Sequence, residues 1–317
     1  MGLETQIILA VLLDQLLGDP RWLPHPVRFM AAVATWLEEK TRARLTPLAA
    51  GVCTVFLTLA LTGLASYGLL RAGAMLHPWL GEAVAVFFIY SSIAARDLVR
   101  HSSAVHAALA GGDLAKARQR VGLIVGRDTA ELDEQGVTRA AVESVAESMV
   151  DGVTAPLFFA VLAGPMGAML YRAVNTMDSL FGYKNERYRR FGTAAARLDD
   201  LANFLPARLS ALLIPVAAFF LGLDARRSLI VLKRDRKNHA SPNSGHSEAA
   251  MAGALGVRLG GPAVYSGRAV AKPFLGDALR PLEPQDILRS NRLMLLASAC
   301  TLLVLLALRG QILRLFA

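Results

Sequence analysis

Cysteine is almost absent. Cys53 and Cys300 are the only two in 317 residues, and both sit inside apolar runs. That excludes a disulfide scaffold and reads as buried thiols rather than a metal site. Charge is also scarce, at 19% of residues, and aromatics at 7%. With a 54% hydrophobic fraction and a mean hydropathy of +0.41, this is too little polar surface for an ordinary soluble protein. The same apolar content excludes intrinsic disorder. No Walker A loop, GxGxxG turn, serine hydrolase elbow, paired zinc cysteines or internal repeat occurs, which sets aside the enzyme classes and solenoids those motifs mark. The charge that is present leans basic, 34 Lys and Arg against 25 Asp and Glu, or +9. In so apolar a chain the excess fits anionic membrane lipid and the cytoplasmic bias of Lys and Arg, not nucleic acid. An anionic small-molecule substrate fits as well.

The fold class expected is all-α: a polytopic integral membrane protein with about four to six membrane-embedded helical segments, some kinked or re-entrant, joined by cytoplasmic polar segments. Residues 48–70 hold 23 positions without a charge, enough to cross a hydrocarbon core of about 30 Å with some tilt. Residues 293–308, bracketed by Arg292 and Arg309, read as a closing transmembrane helix. Residues 3–17 read as a retained membrane helix rather than a cleavable signal. In 72–95 a helix is expected to start after Pro78. Residues 152–171 are uncharged, with a break or kink expected at Gly164 and Pro165, and 201–223 form the last apolar block. Segments 18–47, 96–151 and 224–292 carry five, seven and twelve basic residues, against one in 71–82. This asymmetry predicts a cytoplasmic side for the first three, and the location expected for the chain is the inner (cytoplasmic) membrane of the cell. Segment 172–200, with six, leaves the number of crossings around it open. The chain reads as one membrane-embedded domain over 1–317.

Several polar segments are too particular for linkers. In LDQLLGDPRWLPHPVR (13–28) three prolines hold Asp14, Asp19, His25 and Arg28 on a constrained loop at the membrane surface. GRDT (126–129) is expected to begin a capped structure, and a helix to run through 134–151. Along it Arg139, Glu143, Glu147 and Asp151 recur every fourth position, with Arg139 offsetting one carboxylate. Three carboxylates at the rim of an apolar region suit Mg²⁺ or an amine. Arg208 lies inside an apolar block and demands a partner, with Asp199 or Asp200 as candidates. SPNSG (241–245) feeds a small-residue helix, a geometry suited to phosphate through backbone N–H groups. His239, His246 and Glu248 read first as hydrogen-bonding residues, and Lys272 and Asp277 stand beside another turn. Gly253, Ala254 and Gly256 permit close helix packing.

Taken together with NTMDSLFGYKNERY, DDLANFLPARLS, HASPNSGHSEAAMAGALGVRLGG and KPFLG, these segments resemble the cobalamin-biosynthesis integral membrane protein family of adenosylcobinamide-phosphate synthases. The likeness covers nearly the whole chain, in family order. It departs at Ser148, where asparagine is expected, and at Met30, near a glycine position, which bears on substrate recognition. The resemblance implies an ATP-dependent ligase that joins adenosylcobyric acid to (R)-1-aminopropan-2-ol or its O-phosphate. ATP is then a cosubstrate, Mg²⁺ a cofactor and the corrinoid a substrate, and other membrane-bound cobamide-assembly enzymes are candidate partners. On that reading Glu143, Glu147 and Asp151 share the metal, with Asp178 or Asp199 as further ligands, and Glu143, Glu147 and Asp178 stand among the catalytic candidates. Lys184, Arg187, Arg208 and Lys237 neutralise phosphate oxygens, and Ser241, Asn243 and Ser244 supply donors. Asp19 or His25 accepts the proton of the attacking ammonium. The competing reading is a transporter for a corrinoid or another anion.

Overall fold

The computed structural model describes residues 1–20, 22, 24–183, 185–265 and 267–315. In chain order the helices are α1 (Leu3–Leu17), α2 (Pro26–Arg42), α3 (Pro47–Leu76), α4 (Pro78–Ser92), α5 (Ala95–Ala110), α6 (Leu114–Val121) and α7 (Glu134–Met149). A π-turn (Val150–Thr154) leads into α8 (Ala155–Phe181), followed by α9 (Thr193–Ala202), α10 (Phe204–Phe220), α11 (Ala225–Asp235) and α12 (Ser244–Leu255). Four short strands, β1 (Leu259–Gly260), β2 (Ala263–Tyr265), β3 (Arg268–Val270) and β4 (Phe274–Leu275), precede α13 (Gln285–Leu315).

The fold is a helical membrane protein. Four stretches among the described residues are long and apolar enough to cross a bilayer: Pro47–Leu76, Pro78–Ala110, Glu134–Phe181 and Gln285–Leu315. The broken pair α9 and α10 makes a fifth if counted as one span. Helix α1 has 15 residues. At about 1.5 Å per residue it is shorter than a hydrocarbon core of about 30 Å, so it does not reach the length expected of a span. Two antiparallel ribbons, β1 with β4 and β2 with β3, add a small β element that apolar periodicity did not announce.

The chain divides into two compact units, Met1–Ala94 with Ala155–Asn203 and Leu305–Ala317, and Ala95–Thr154 with Phe204–Val304. In the first, Ala34, Ala50, Val55, Met177, Phe181, Phe191 and Ala195 form a buried core between α2, α3, α8 and the segment leading into α9. His25 caps α2, its Nδ1 accepting the Val27 N–H at 3.3 Å, and Pro26 takes the first helical position, where a missing N–H costs nothing. His77 repeats the arrangement at α4, which begins at Pro78 as expected. Helix α8 breaks where Gly164 and Pro165 predicted: Ala163 and Gly164 leave helical geometry, Gly164 at φ 64°.

In the second unit every residue of α12 after Ser244 is buried. Its composition explains this, since a helix of Ala, Gly and Ser lets neighbours approach closely. Ser228 Oγ of α11 donates to Ala250 O at 2.8 Å, and a Cβ on Gly253 would lie 2.6 Å from Arg227 O. Helix α7 is capped by Asp133, which accepts the Gly136 N–H at 2.7 Å. GRDT is therefore not the cap. The α-helix also stops at Met149, and Asp151 stands on the π-turn rather than on a continuation of the α-helical stripe.

Candidate functional site

A cleft of about 230 Å³ opens within the second unit, lined by Gly126 and Arg127, by Glu143, Glu147 and Ser148 of α7, by His239 and Glu248, and by Gly260, Tyr265 and Lys272. Three parts of the sequence converge to build it. The segment 124–129, which includes GRDT, acts as a staple. Ser144 Oγ donates to Ile124 O at 2.7 Å, Asp128 N donates to Val264 O at 2.9 Å, and Gly267 N donates to Asp128 Oδ2 at 2.7 Å. These bonds tie the turn to α7 on one side and to the β2–β3 ribbon on the other, and they leave Arg127 pointing at Glu143.

Glu143 is held at both oxygens. Arg127 donates to Oε2, and the Gly260 N–H donates to Oε1 at 2.6 Å. Gly260 has φ +74°, and a Cβ there would lie 2.4 Å from Pro273 O, so only glycine lets the backbone come this close. Burial works against the Arg127 charge, but the attraction of Glu143 outweighs it and the guanidinium pKa is raised. Arg139, expected to offset a carboxylate of this row, does not. Its Nε is buried without a hydrogen bond, and Arg127 takes that role.

Glu147 is exposed to the cleft and accepts the Ser244 hydroxyl at Oε1, 3.2 Å away. Glu248, only 4% exposed, faces His239, with Nε2 to Oε1 at 3.5 Å. The His239 Nδ1 accepts the Ser241 N–H at 3.0 Å, which places the proton of the neutral ring on Nε2, facing Glu248. Burial, reinforced by the charges of Glu143 and Glu147, pushes the Glu248 carboxyl well above the ordinary carboxylate range. Burial pushes the His239 imidazole down, against the pull of Glu147. Opposite them Lys272 donates to the Tyr265 hydroxyl and sits 4.6 Å from its ring centroid. Three carboxylates and two cations share a small, largely buried space, an arrangement able to bind an ammonium and an anion side by side and to exchange a proton.

The other residues singled out in the sequence fall elsewhere. Ser241 Oγ accepts the N–H groups of Asn243 and Ser244, at 3.2 and 3.3 Å, so the SPNSG turn satisfies its own donors rather than presenting a free row of them. Arg208 donates to Phe204 O at 2.7 Å and to Asn243 Oδ1 at 3.2 Å, and its guanidinium lies over the Phe204 ring. Its partners are thus a carbonyl, an amide and an aromatic face, not the aspartates proposed for it. Lys237 is exposed on the turn after α11. Asp178, Arg187 and Asp199 belong to the first unit. There Asn203 donates to Asp199 Oδ2 at 2.9 Å, and Arg187 meets the buried Glu38 at 3.1 Å. Asp19 Oδ1 lies 3.5 Å from His25 Nε2 in the same unit. Lys184 lies outside the described residues. Among the described residues no group of three or more His, Cys, Asp or Glu is arranged to hold a metal ion, so Glu143, Glu147 and Asp151 are not assembled as one cluster within the second unit.

A family model described as CobD/Cbib protein matches residues 7–294. The chain is 48% identical over 308 residues to the cobalamin biosynthesis protein CobD of Geobacter metallireducens, covering 97% of this chain and 96% of that one. It is 46% identical over 296 residues to the CobD of Leptospira interrogans, with 93% and 94% covered. The cobalamin biosynthesis protein CbiB of Salmonella typhimurium is 45% identical over 307 residues, with 95% and 96% covered. No solved structure matches. The chain belongs to the CobD/Cbib family.

Proposed function

We propose that this member of the family is an amide synthase of cobalamin biosynthesis. It joins the free propionate carboxyl of adenosylcobyric acid to (R)-1-aminopropan-2-ol or its O-phosphate, with ATP as cosubstrate. The biosynthetic role rests on family membership and on relatives named cobalamin biosynthesis proteins. The reaction rests on one observation, the cleft in which Glu143, Glu147 and Glu248 face Arg127 and Lys272.

Carboxylate and amine do not condense unaided in water. In the proposed sequence the corrinoid carboxylate attacks the terminal phosphorus of ATP, ADP leaves, and an acyl phosphate forms. The amine nitrogen then attacks the acyl carbon and expels phosphate, provided its ammonium has first lost a proton. Glu248 suits that transfer, because burial and two neighbouring carboxylates raise its proton affinity towards that of the donor, and His239 holds it in place. Glu147 attracts the ammonium, and Lys272 suits the oxygens of the acyl phosphate. At about 230 Å³ the cleft is smaller than most small-molecule sites, about 300–1,000 Å³. It therefore suits the reacting ends, with the corrin ring outside at the membrane edge.

Mg²⁺ with ATP would neutralise phosphate charge. Glu147 fits it, since Oε2 has no hydrogen bond among the described residues, whereas both Glu143 oxygens are taken. An ion held by one carboxylate and phosphate oxygens is the usual Mg²⁺ arrangement. The basic-residue asymmetry favours a site facing the cytoplasm.

The test is product formation by the purified, detergent-solubilised protein given adenosylcobyric acid, Mg²⁺, ATP and each amino alcohol in turn. A mass gain equal to the amide, dependent on ATP, is expected. Uptake into vesicles without covalent change would overturn the reading in favour of transport.

A further inference from the structure

Helix α11 carries its basic residues on two faces with different fates. Arg227 and Arg234 turn toward Asp277, at 3.6 and 2.9 Å, and pair also with Asp224 and Asp235, at 3.5 and 2.7 Å, so carboxylates neutralise both. Lys233 and the adjoining Arg236 face the other way. With Arg208, His246 and Leu212 they line a second cavity of about 370 Å³ in the same unit, distinct from the carboxylate cleft. No carboxylate lines it. Arg236 donates to the Lys233 carbonyl, Arg208 donates to a carbonyl and an amide, and Lys233 makes no ion pair among the described residues.

One group in this cavity is unexplained by the fold. His246 is nine-tenths buried, at 8% exposure, and its Nδ1 has no hydrogen-bond partner. A buried ring nitrogen without a hydrogen bond is costly, so a ligand able to supply one is favoured there. Burial and the charges of Arg208 and Arg236 lower its pKa, outweighing the Asn243 backbone, which raises it.

The cavity continues into a largely apolar groove of about 570 Å³ between α10 and α11, lined by Val216, Phe219, Phe220 and Ile230, with Arg226 also on its wall. Leu229 and Lys233 belong to both. Phe219 and Phe220 are about 70% exposed, at 72% and 69%, and α10 is part of a candidate membrane span. A free phosphate would use the cationic end and leave the groove empty. A phospholipid uses both.

We propose that this is a binding site for one anionic phospholipid. Its phosphate is held by Arg208, Lys233, Arg236 and His246, and an acyl chain runs along the α10–α11 groove. Charge complementarity fixes the headgroup class, because three cations without a carboxylate select a net negative lipid over a zwitterionic one. The proposal does not depend on the reaction assigned to the carboxylate cleft.

The test uses the full-length protein, delipidated in detergent and offered phosphatidylglycerol, phosphatidylcholine or inorganic phosphate, with bound ligand counted by native mass spectrometry. One phosphatidylglycerol should be retained at least tenfold more tightly than phosphatidylcholine, and millimolar inorganic phosphate should not displace it. The K233Q/R236Q variant should lose that preference while keeping the wild-type melting temperature within a few degrees. Should the double variant fail to fold, K233Q alone, at an unpaired side chain, should still weaken retention several-fold. Equal retention of the two lipids overturns the proposal, as does an unchanged preference in the folded variant. Displacement by inorganic phosphate identifies a free-anion site and overturns the lipid assignment.

Discussion

Glu143 accepts the Gly260 N–H at 2.6 Å, joining the middle of α7 to the first strand of the ribbon segment across 117 residues of sequence. With Arg127 on its other oxygen, this carboxylate organises one wall of the cleft.

Removing either member of the Arg127–Glu143 pair leaves the other charge buried and uncompensated. The side chains are 12% and 8% exposed, so R127M or E143Q should cost about 3–5 kcal/mol. Chemical or thermal unfolding in detergent reads this directly. A loss under about 1 kcal/mol would show that the pair is wet and does not hold the wall.

Glu147 should behave in the opposite way, because it is exposed and makes one hydrogen bond, to Ser244. E147Q should leave stability within about 0.5 kcal/mol while lowering kcat by about 10²-fold or more. An E147Q protein with wild-type turnover would remove Glu147 from both the ammonium and Mg²⁺ roles.

Glu248 makes stability depend on pH. Its pKa is raised in the folded protein, so the folded state binds the proton more tightly than the unfolded chain does. The stabilisation is complete below the ordinary carboxylate range and is lost as pH rises through the folded value. Wild-type melting temperature should therefore fall, between the ordinary carboxylate range and the raised folded value, relative to E248Q, which stays neutral throughout. Parallel curves for the two proteins would contradict the raised pKa. In turnover the wild type should show an ascending limb with pH that E248Q lacks.

At Gly253, helix propensity and packing oppose each other. Alanine would gain about 1 kcal/mol of intrinsic helix preference. Its Cβ, however, would lie 2.6 Å from Arg227 O and 2.8 Å from the Ser228 Cα, both backbone atoms that cannot swing aside. Overpacking of this kind costs about 1–3 kcal/mol, so G253A should be destabilising on balance. A raised melting temperature would mean that α11 and α12 pack more loosely than described.

The membrane helices were legible because uncharged length is a one-dimensional property: 48–70 falls inside α3, and Gly164 with Pro165 marks the break in α8. Glu143 and Glu147 were legible as neighbours because α-helical spacing sets them on one face. Their partners were not. Arg127 comes from a turn 16 residues upstream and Lys272 from the segment between β3 and β4, more than 120 residues downstream, and neither distance has a periodic signature. The GRDT segment was visible as a motif, but a polar turn before a helix reads as a cap, and the true cap at Asp133 masked its stapling role. Arg208 was recognised as a charge needing company. Sequence favoured a carboxylate partner, whereas the fold supplies a carbonyl, the Asn243 amide and the Phe204 ring.

The central claim is that ATP activates the corrinoid carboxylate before the amine attacks. Adenosylcobyric acid labelled with ¹⁸O in its free propionate carboxyl, incubated with the purified protein, ATP, Mg²⁺ and the amino alcohol, tests it most directly. The acyl phosphate route transfers one labelled oxygen to the released phosphate for every amide formed, and mass spectrometry of that phosphate should show it. Amide formation with unlabelled phosphate, or without ATP consumption, would contradict the account.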